Sequence, residues 1–117
     1  MQVLVTTDNH IDGTARLMQF VESDVRSSME RFGPQLTRVD VHLKDLNSDK
    51  KEIGDDKRCV VEARLGGLQP ITVSHDAATV DQAVSGALET LERAMDRTID
   101  KVGHKKGRTP AGGEILD

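Results

Sequence analysis

The second half of the sequence carries basic residues at a spacing suited to phosphate binding. On an α-helix they would form one row along a flank, since each follows the last by four residues: Arg93, Arg97, Lys101 and Lys105. Lys106, with His104 and Arg108 beside it, would extend this row along a phosphate backbone. The pattern is equally typical of a solvated helix face, because Glu89 precedes Arg93 by four residues and cations suit a helix C-terminus. Spacing alone leaves both interpretations open.

Two acidic stretches resemble the start of a calcium-binding loop, namely Asp8, His10, Asp12 and Gly13, and then Asp45, Asn47 and Asp49. Neither completes the pattern. Gln19 stands where the first loop needs its bidentate glutamate, and the second has Lys50 in place of the glycine and Asp56 at its last position. Polar turns account for both stretches, so we expect no metal and no other cofactor.

Catalytic signatures are sparse. His75 and Asp76, at a predicted strand-to-helix junction, could form an acid–base pair, but Asp76 equally suits a helix cap. There is no Gly-rich phosphate loop, nucleophile elbow or paired-carboxylate signature. Cys59 has no Cys or His partner at zinc spacing, which favours a buried strand cysteine. We therefore expect no enzyme and no small-molecule substrate.

Composition narrows the function further. The 117 residues fit one domain, and Phe20 and Phe32 are the only aromatic residues, so stacking of nucleic-acid bases on rings is effectively excluded. The net charge is −4, but it is unevenly spread: residues 93–108 hold six basic and two acidic residues, and the rest hold ten and eighteen. The sequence thus predicts an acidic body with a basic end.

The chain start does not resemble a signal peptide, and no apolar stretch approaches the about 20 residues that cross a bilayer. A single cysteine is typical of a reducing compartment. We expect a soluble cytoplasmic protein with no membrane partner.

Residue patterns predict four strands and two helices. The strands are expected where β-branched residues or polar–apolar alternation dominate, at 2–7, 36–46, 57–65 and 68–75. The first helix is expected from an N-cap at Thr14 to about Phe32, where Gly33 and Pro34 follow. The second is expected from about Thr79 to Gly103.

The order β-α-β-β-β-α predicts an α+β fold in which two helices pack on one face of a four-stranded mixed sheet. The first connection is a crossover, so the first two strands should be parallel and the remaining strands should form an antiparallel meander. Residues 1–106 are expected to form a single domain, and residues 107–117, rich in Gly, a flexible C-terminal tail.

Long segments of the sequence resemble the ribosome hibernation-promoting family, also called ribosome-associated inhibitors or sigma-54 modulation proteins. The likeness spans residues 1 to about 106. It rests on MQVLVTTDNHI, QFVESDV with MERF, TRVDVHL, and DDKRCVVEARLGGLQPITVSHDAATVDQAVSGALETLERAM. The resemblance implies a fold similar to a double-stranded-RNA-binding domain. It also implies a short form, since the C-terminal dimerisation domain of long members is absent.

The resemblance implies a function as well. Such proteins lodge on the small ribosomal subunit, contact its ribosomal RNA, and repress translation or preserve idle ribosomes under stress. Their basic residues lie on the outer faces of the two helices. The matching RNA-binding positions here would be Arg16, Arg26 and Arg31 on the first helix and Arg93, Arg97, Lys101, Lys105 and Lys106 on the second.

This sequence departs from the family pattern in ways that keep an alternative open. Asp24, Ser27 and Ser28 stand where members usually carry lysines, and Thr90 replaces a lysine common in the second helix. The alternative is a diverged member that acts as a protein-interaction module without RNA binding. A continuous positive groove between the helices would favour the ribosome, and a broken one the alternative. Whether two copies form a weak homodimer through the sheet stays open.

Overall fold

The structure, a computed structural model, describes residues 1–8, 11–46 and 56–107, with side chains described as far as Lys101. Its elements in chain order are β1 (Gln2–Thr7), α1 (Ala15–Met29), a 3₁₀ segment (Glu30–Gln35), β2 (Leu36–Asp45), β3 (Lys57–Leu65), β4 (Ile71–Ala77) and α2 (Val80–Gly107). The strands form one sheet in the order β1-β2-β3-β4, with β1 parallel to β2 and the other neighbours antiparallel. The predicted β-α-β-β-β-α fold is confirmed.

Local chemistry sets both ends of α1. The Thr14 side chain accepts a hydrogen bond from the backbone N–H of Leu17, which confirms the predicted N-cap. The helix ends at Met29, earlier than the predicted Phe32, and the chain continues as the tighter 3₁₀ segment. Gly33 in that segment has a φ of 67°, a conformation that residues with a Cβ rarely adopt, and this glycine redirects the chain toward β2.

The start of β4 corrects the sequence prediction. Pro70 has no backbone N–H, and Leu68 instead donates its N–H to the Leu65 carbonyl at 3.2 Å to close a turn, so the strand begins only at Ile71. The strand then runs through Asp76, which is therefore a strand residue and no helix cap.

Thr79 caps α2 instead, since its Oγ1 accepts a hydrogen bond from the Gln82 N–H at 3.2 Å. The helix reaches Gly107, four residues beyond the predicted Gly103. Residues 108–117 of the expected tail lie outside the described residues, so the division at residue 106 stays a prediction.

The two faces of the sheet differ. Residues facing the helices align across the strands in apolar rows, of which the central one is Val5, Val41, Val61 and Val73. This face packs against the buried stripes of α1 and α2, including Val21, Val25, Met29, Val84, Leu91 and Met95. The alternate residues, such as Asp40 and His42, are more exposed on the opposite face. Both helices therefore cover one face and leave an open sheet face.

The helices lie side by side and run in the same direction. The beginnings of both helices meet, because Phe20 and Asp81 line one depression, and Arg31 just after α1 bonds to Asp96 of α2. α2 packs over β3 and β4, and α1 packs over β1. Since α2 continues for eleven residues after Asp96, it projects about 16 Å past this connection at about 1.5 Å per residue. We call residues 97–107 the α2 extension.

Candidate nucleic-acid interface

Three of the basic residues predicted on the second helix lie on the outer surface of α2. Arg93, Arg97 and Lys101 are all exposed, and we call these three the α2 cation row. Neighbours in the row are about 6 Å apart along the helix axis, since four residues separate them. Within the described part of the chain none of the three forms an ion pair, and Glu89 does not pair with Arg93. The row therefore presents its charge to solvent. Lys105 and Lys106 lie on helical backbone, and their side chains are outside the described residues.

Asp96 lies between Arg93 and Arg97 in the sequence, but it is on a different flank of α2, the one that contacts Arg31. Arg31 donates two hydrogen bonds to its carboxylate, at 3.1 and 2.9 Å. These bonds hold the pKa of Asp96 below its ordinary value, so the carboxylate stays ionised. The Arg31 guanidinium also lies 4.1 Å from the centroid of the Phe32 ring. Arg31 is thus engaged by Asp96, while Arg93 and Arg97 form no ion pair with any described residue.

The other two cations proposed on the first helix differ from each other. Arg26 donates from Nε to the Glu22 carboxylate at 3.1 Å and from Nη1 to the Met1 carbonyl at 3.2 Å. Arg16, in the first turn of α1, makes no ion pair with any described residue. Only Arg16 among the three therefore faces solvent without a carboxylate partner.

The groove between the helices is acidic. It encloses about 300 Å³ and is lined by Asp24 and Ser28 from α1 and by Ser85, Gly86, Leu88, Glu89 and Glu92 from α2. We call it the interhelical groove. Arg16 lies near its beginning, beside Asp81, and Arg97 lies 16 residues later on α2, or about 24 Å. The positive surface is therefore interrupted by carboxylates between its two ends.

The cations of the open sheet face are neutralised locally. Arg38 pairs with Asp40 at 2.7 Å, Arg58 with Asp76 at 2.7 Å, and Arg64 with Glu62 at 3.8 Å. Lys44 is the exception on the described part of this face. Among the residues that the structure describes, unpaired positive charge is accordingly concentrated on α2.

One aromatic ring is accessible. Phe20 is 43% exposed and shares a depression with Arg16 and Leu17, whereas Phe32 is buried. A single ring cannot stack successive bases. Base stacking, which the composition had excluded, is therefore limited to at most one base, on Phe20.

His75 and Asp76 do not form an acid–base pair. Successive strand residues point to opposite faces, so the His75 ring lies against Gly86 of α2 while Asp76 is on the open sheet face. Asp76 accepts two hydrogen bonds from Arg58, at 2.7 and 3.0 Å, which lower its pKa. Placing both residues in one strand would have been enough to predict that their side chains point to opposite faces of the sheet.

The cysteine lies where the sequence predicted. Cys59 is fully buried in β3, and burial raises the pKa of its thiol to about 12. A buried neutral thiol of this kind is a packing group.

The two half-loops with calcium-like spacing meet at one end of the sheet. The Asp8 carboxylate accepts the backbone N–H of Asp45 at 3.1 Å. His10, Asn47 and Asp49 lie outside the described residues. Within residues 1–8, 11–46 and 56–101, no three His, Cys, Asp or Glu side chains cluster as metal ligands would.

Solved structures of other proteins share this fold. The N-terminal domain of Protein Y from Thermus thermophilus superposes with a TM-score of 0.66 at 17% identity, covering 84% of this chain and 99% of that domain. A ribosomal subunit interface protein from Coxiella burnetii superposes with a TM-score of 0.63 at 14% identity, covering 86% of this chain and 99% of that protein. At these identities the likeness establishes the shared fold.

Sequence comparison is more specific. Curated protein sequences gave no significant match. No helix in the described ranges is long and apolar enough to span a membrane. The family model described as sigma 54 modulation protein / S30EA ribosomal protein matches residues 4–103, which is most of the 117. This chain belongs to the sigma 54 modulation protein / S30EA ribosomal protein family.

Proposed function

We propose that this protein binds the small ribosomal subunit through ribosomal RNA and represses translation or preserves idle ribosomes under stress. It acts in the cytoplasm and catalyses no reaction. The observation that carries the proposal is the α2 cation row: three exposed cations that pair with no described carboxylate, on a chain with a net charge of −4. Cations on a helix can neutralise phosphates without reading bases, which agrees with the scarcity of exposed rings.

The family supports the ribosome as the partner, as does the fold shared with a ribosomal subunit interface protein. The pairing pattern supports α2 as the contact. Arg26 and Arg31 would have to leave Glu22 and Asp96 before gripping phosphate, whereas the α2 cation row is available at once. Arg16 is a second available contact. It lies near the beginning of the interhelical groove, about 24 Å from Arg97.

The test is sedimentation with purified small subunits at low salt. The α2 triple variant carries Arg93→Gln, Arg97→Gln and Lys101→Gln. The sheet control carries Arg38→Gln, Arg58→Gln and Arg64→Gln, which removes the same charge from residues that are already paired. We expect the triple variant to stay at the top of the gradient and the control to sediment with the subunits. Equal sedimentation of both variants would contradict the proposal.

The interhelical groove favours a second candidate function, a protein-interaction module without RNA binding. Asp24, Glu89 and Glu92 interrupt the positive surface at the place where a ribosome binder would profit from continuous cations. Carboxylates lining a concave surface suit a basic protein segment.

A groove variant separates the two candidates. Asp24→Asn, Glu89→Gln and Glu92→Gln together remove three repelling charges, so RNA-dependent sedimentation should strengthen under the first proposal. Under the second, the groove variant should lose its partner, and the α2 triple variant should keep it. Nuclease treatment of the lysate before sedimentation identifies which kind of partner is present.

A further inference from the structure

The outer edge of the sheet at β1 is an unprotected pairing surface. In residues 2–7 the chain has neither charge nor proline, and its pairing with β2 runs without a bulge. Among the described residues no strand pairs with its outer side. Edge strands of monomeric proteins normally carry lysine, proline or a bulge that prevents pairing with another chain. β1 has none of these.

The opposite edge shows the contrast. β4 follows Pro70 directly and carries Asp76, two of the features that discourage strand addition. The same sheet thus has one protected edge and one open edge.

Helix α1 leaves the margin of β1 uncovered. On the helix side Val3 and Val5 are only partly buried, and on the other side Leu4 is 46% exposed. The carbonyl of Met1 already accepts a hydrogen bond from Arg26, so the open length begins at Gln2. Both faces of β1 therefore keep exposed apolar surface that a partner strand could cover.

We propose that β1 is a self-association edge, at which the β1 strands of two copies pair antiparallel about a two-fold axis at Leu4. This goes beyond the proposed function and needs no RNA. In this register Leu4 faces Leu4 of the second copy, Val3 faces Val5, and Gln2 faces Thr6. Apolar residues meet apolar ones, polar residues meet polar ones, and no like charges approach. Moving the axis to Val5 would oppose Leu4 with Thr6 and Val3 with Thr7, which is a poorer match.

The occupant is a second copy because the strand is complementary to itself and uncharged. The product is an eight-stranded sheet with α2 over the outer strands of each half, so the α2 cation rows stay accessible. The paired segment is short, and its interface falls below the about 1,200 Å² that stable complexes bury. We therefore expect a weak dimer that forms as concentration rises.

The first test is sedimentation equilibrium without RNA. Leu4→Lys places two ammonium groups opposite each other and should weaken dimerisation on the order of ten-fold. Leu46→Lys is the matched control, since Leu46 is 47% exposed and lies outside β1. It should leave dimerisation unchanged. Equal effects of the two variants would overturn the proposal.

Disulfide trapping provides a second, independent test of the register. Leu4→Cys should form an intermolecular disulfide readily, because directly opposite Cα atoms of antiparallel strands lie about 4.5–5.5 Å apart. Thr6→Cys should not, since the two Thr6 positions would be about 13 Å apart along the strand. The buried Cys59 contributes no background. If the protein stays monomeric and Leu4→Cys forms no intermolecular disulfide, the self-association proposal is wrong. The β1 edge would then be available to a strand from another protein.

Discussion

The salt dependence of binding to small subunits is the most direct measure of the α2 cation row. Each phosphate neutralised by a cation lowers the slope of log K against log salt by about 0.9. The three residues of the α2 cation row therefore contribute about −2.7 to the slope. Between 50 and 200 mM salt this corresponds to an affinity loss of about 40-fold. Arg16 adds about 0.9 to the magnitude of the slope when it reaches the same RNA.

Fluorescence anisotropy of N-terminally labelled protein, titrated with purified small subunits at four salt concentrations, gives the slope. The α2 triple variant should bind more weakly, and its slope should be smaller in magnitude by about 2.7, because its three charges are gone. The sheet control should keep the original slope, because Arg38, Arg58 and Arg64 are held by their own carboxylates.

Two results would refute the reasoning. One is a wild-type slope near zero, which would mean that RNA phosphates are not the contact. The other is an equal reduction of the slope in the triple variant and in the sheet control, which would mean that net charge matters and position does not.

Three further predictions follow from individual contacts. Asp96→Asn releases Arg31, so the salt slope should steepen by about 0.9 in the same anisotropy assay; an unchanged slope would show that Arg31 does not reach RNA. Burial raises the pKa of Cys59 from 9.0 to about 12. The buried thiol therefore stays neutral while the thiol of the unfolded chain ionises, so the free energy of unfolding is unaffected below pH 9 and falls as the pH rises from 9 toward 12. Urea unfolding at pH 9 and 11 should show wild type losing about 2 kcal/mol more than Cys59→Ala, and parallel losses would contradict this. A Cβ at Gly86 would overlap the His75 ring, so Gly86→Ala should stabilise the His75→Ala background by about 1 kcal/mol and wild type by less; equal gains in thermal unfolding would refute the contact.

Much of the fold followed from local rules in the sequence. The N-cap at Thr14 was identifiable from residue type and position, and alternation in β2 identified its buried face. The predicted start of β4 failed because two local signals compete there. Strand propensity from Leu68 onward competes with the missing N–H of Pro70, and the turn prevails.

The candidate site was less accessible to sequence reasoning. Spacing placed Arg93, Arg97 and Lys101 on one flank, which the structure agrees with. It could not show that Asp96 bonds to Arg31, a residue 65 positions earlier, because helical spacing reports only neighbours on the same helix. For the same reason it did not find that Asp24 and Glu92 share one groove. Contacts between elements depend on how the helices pack, and the sequence pattern does not specify that packing.

The paired cations of the open sheet face also affect how the molecule approaches a polyanion. A close pair of opposite charges has a field that decays rapidly with distance, so Arg38, Arg58 and Arg64 contribute little beyond one Debye length. Among the described residues the far field is then set by the unpaired charges, which are negative over the interhelical groove and positive at Arg97 and Lys101 in the α2 extension. The field of a nucleic acid exerts a torque on a protein with such a charge separation. This torque turns the α2 extension toward the nucleic acid before contact. Orientation would thus be selected during diffusion, and the association rate would fall as salt screens that torque.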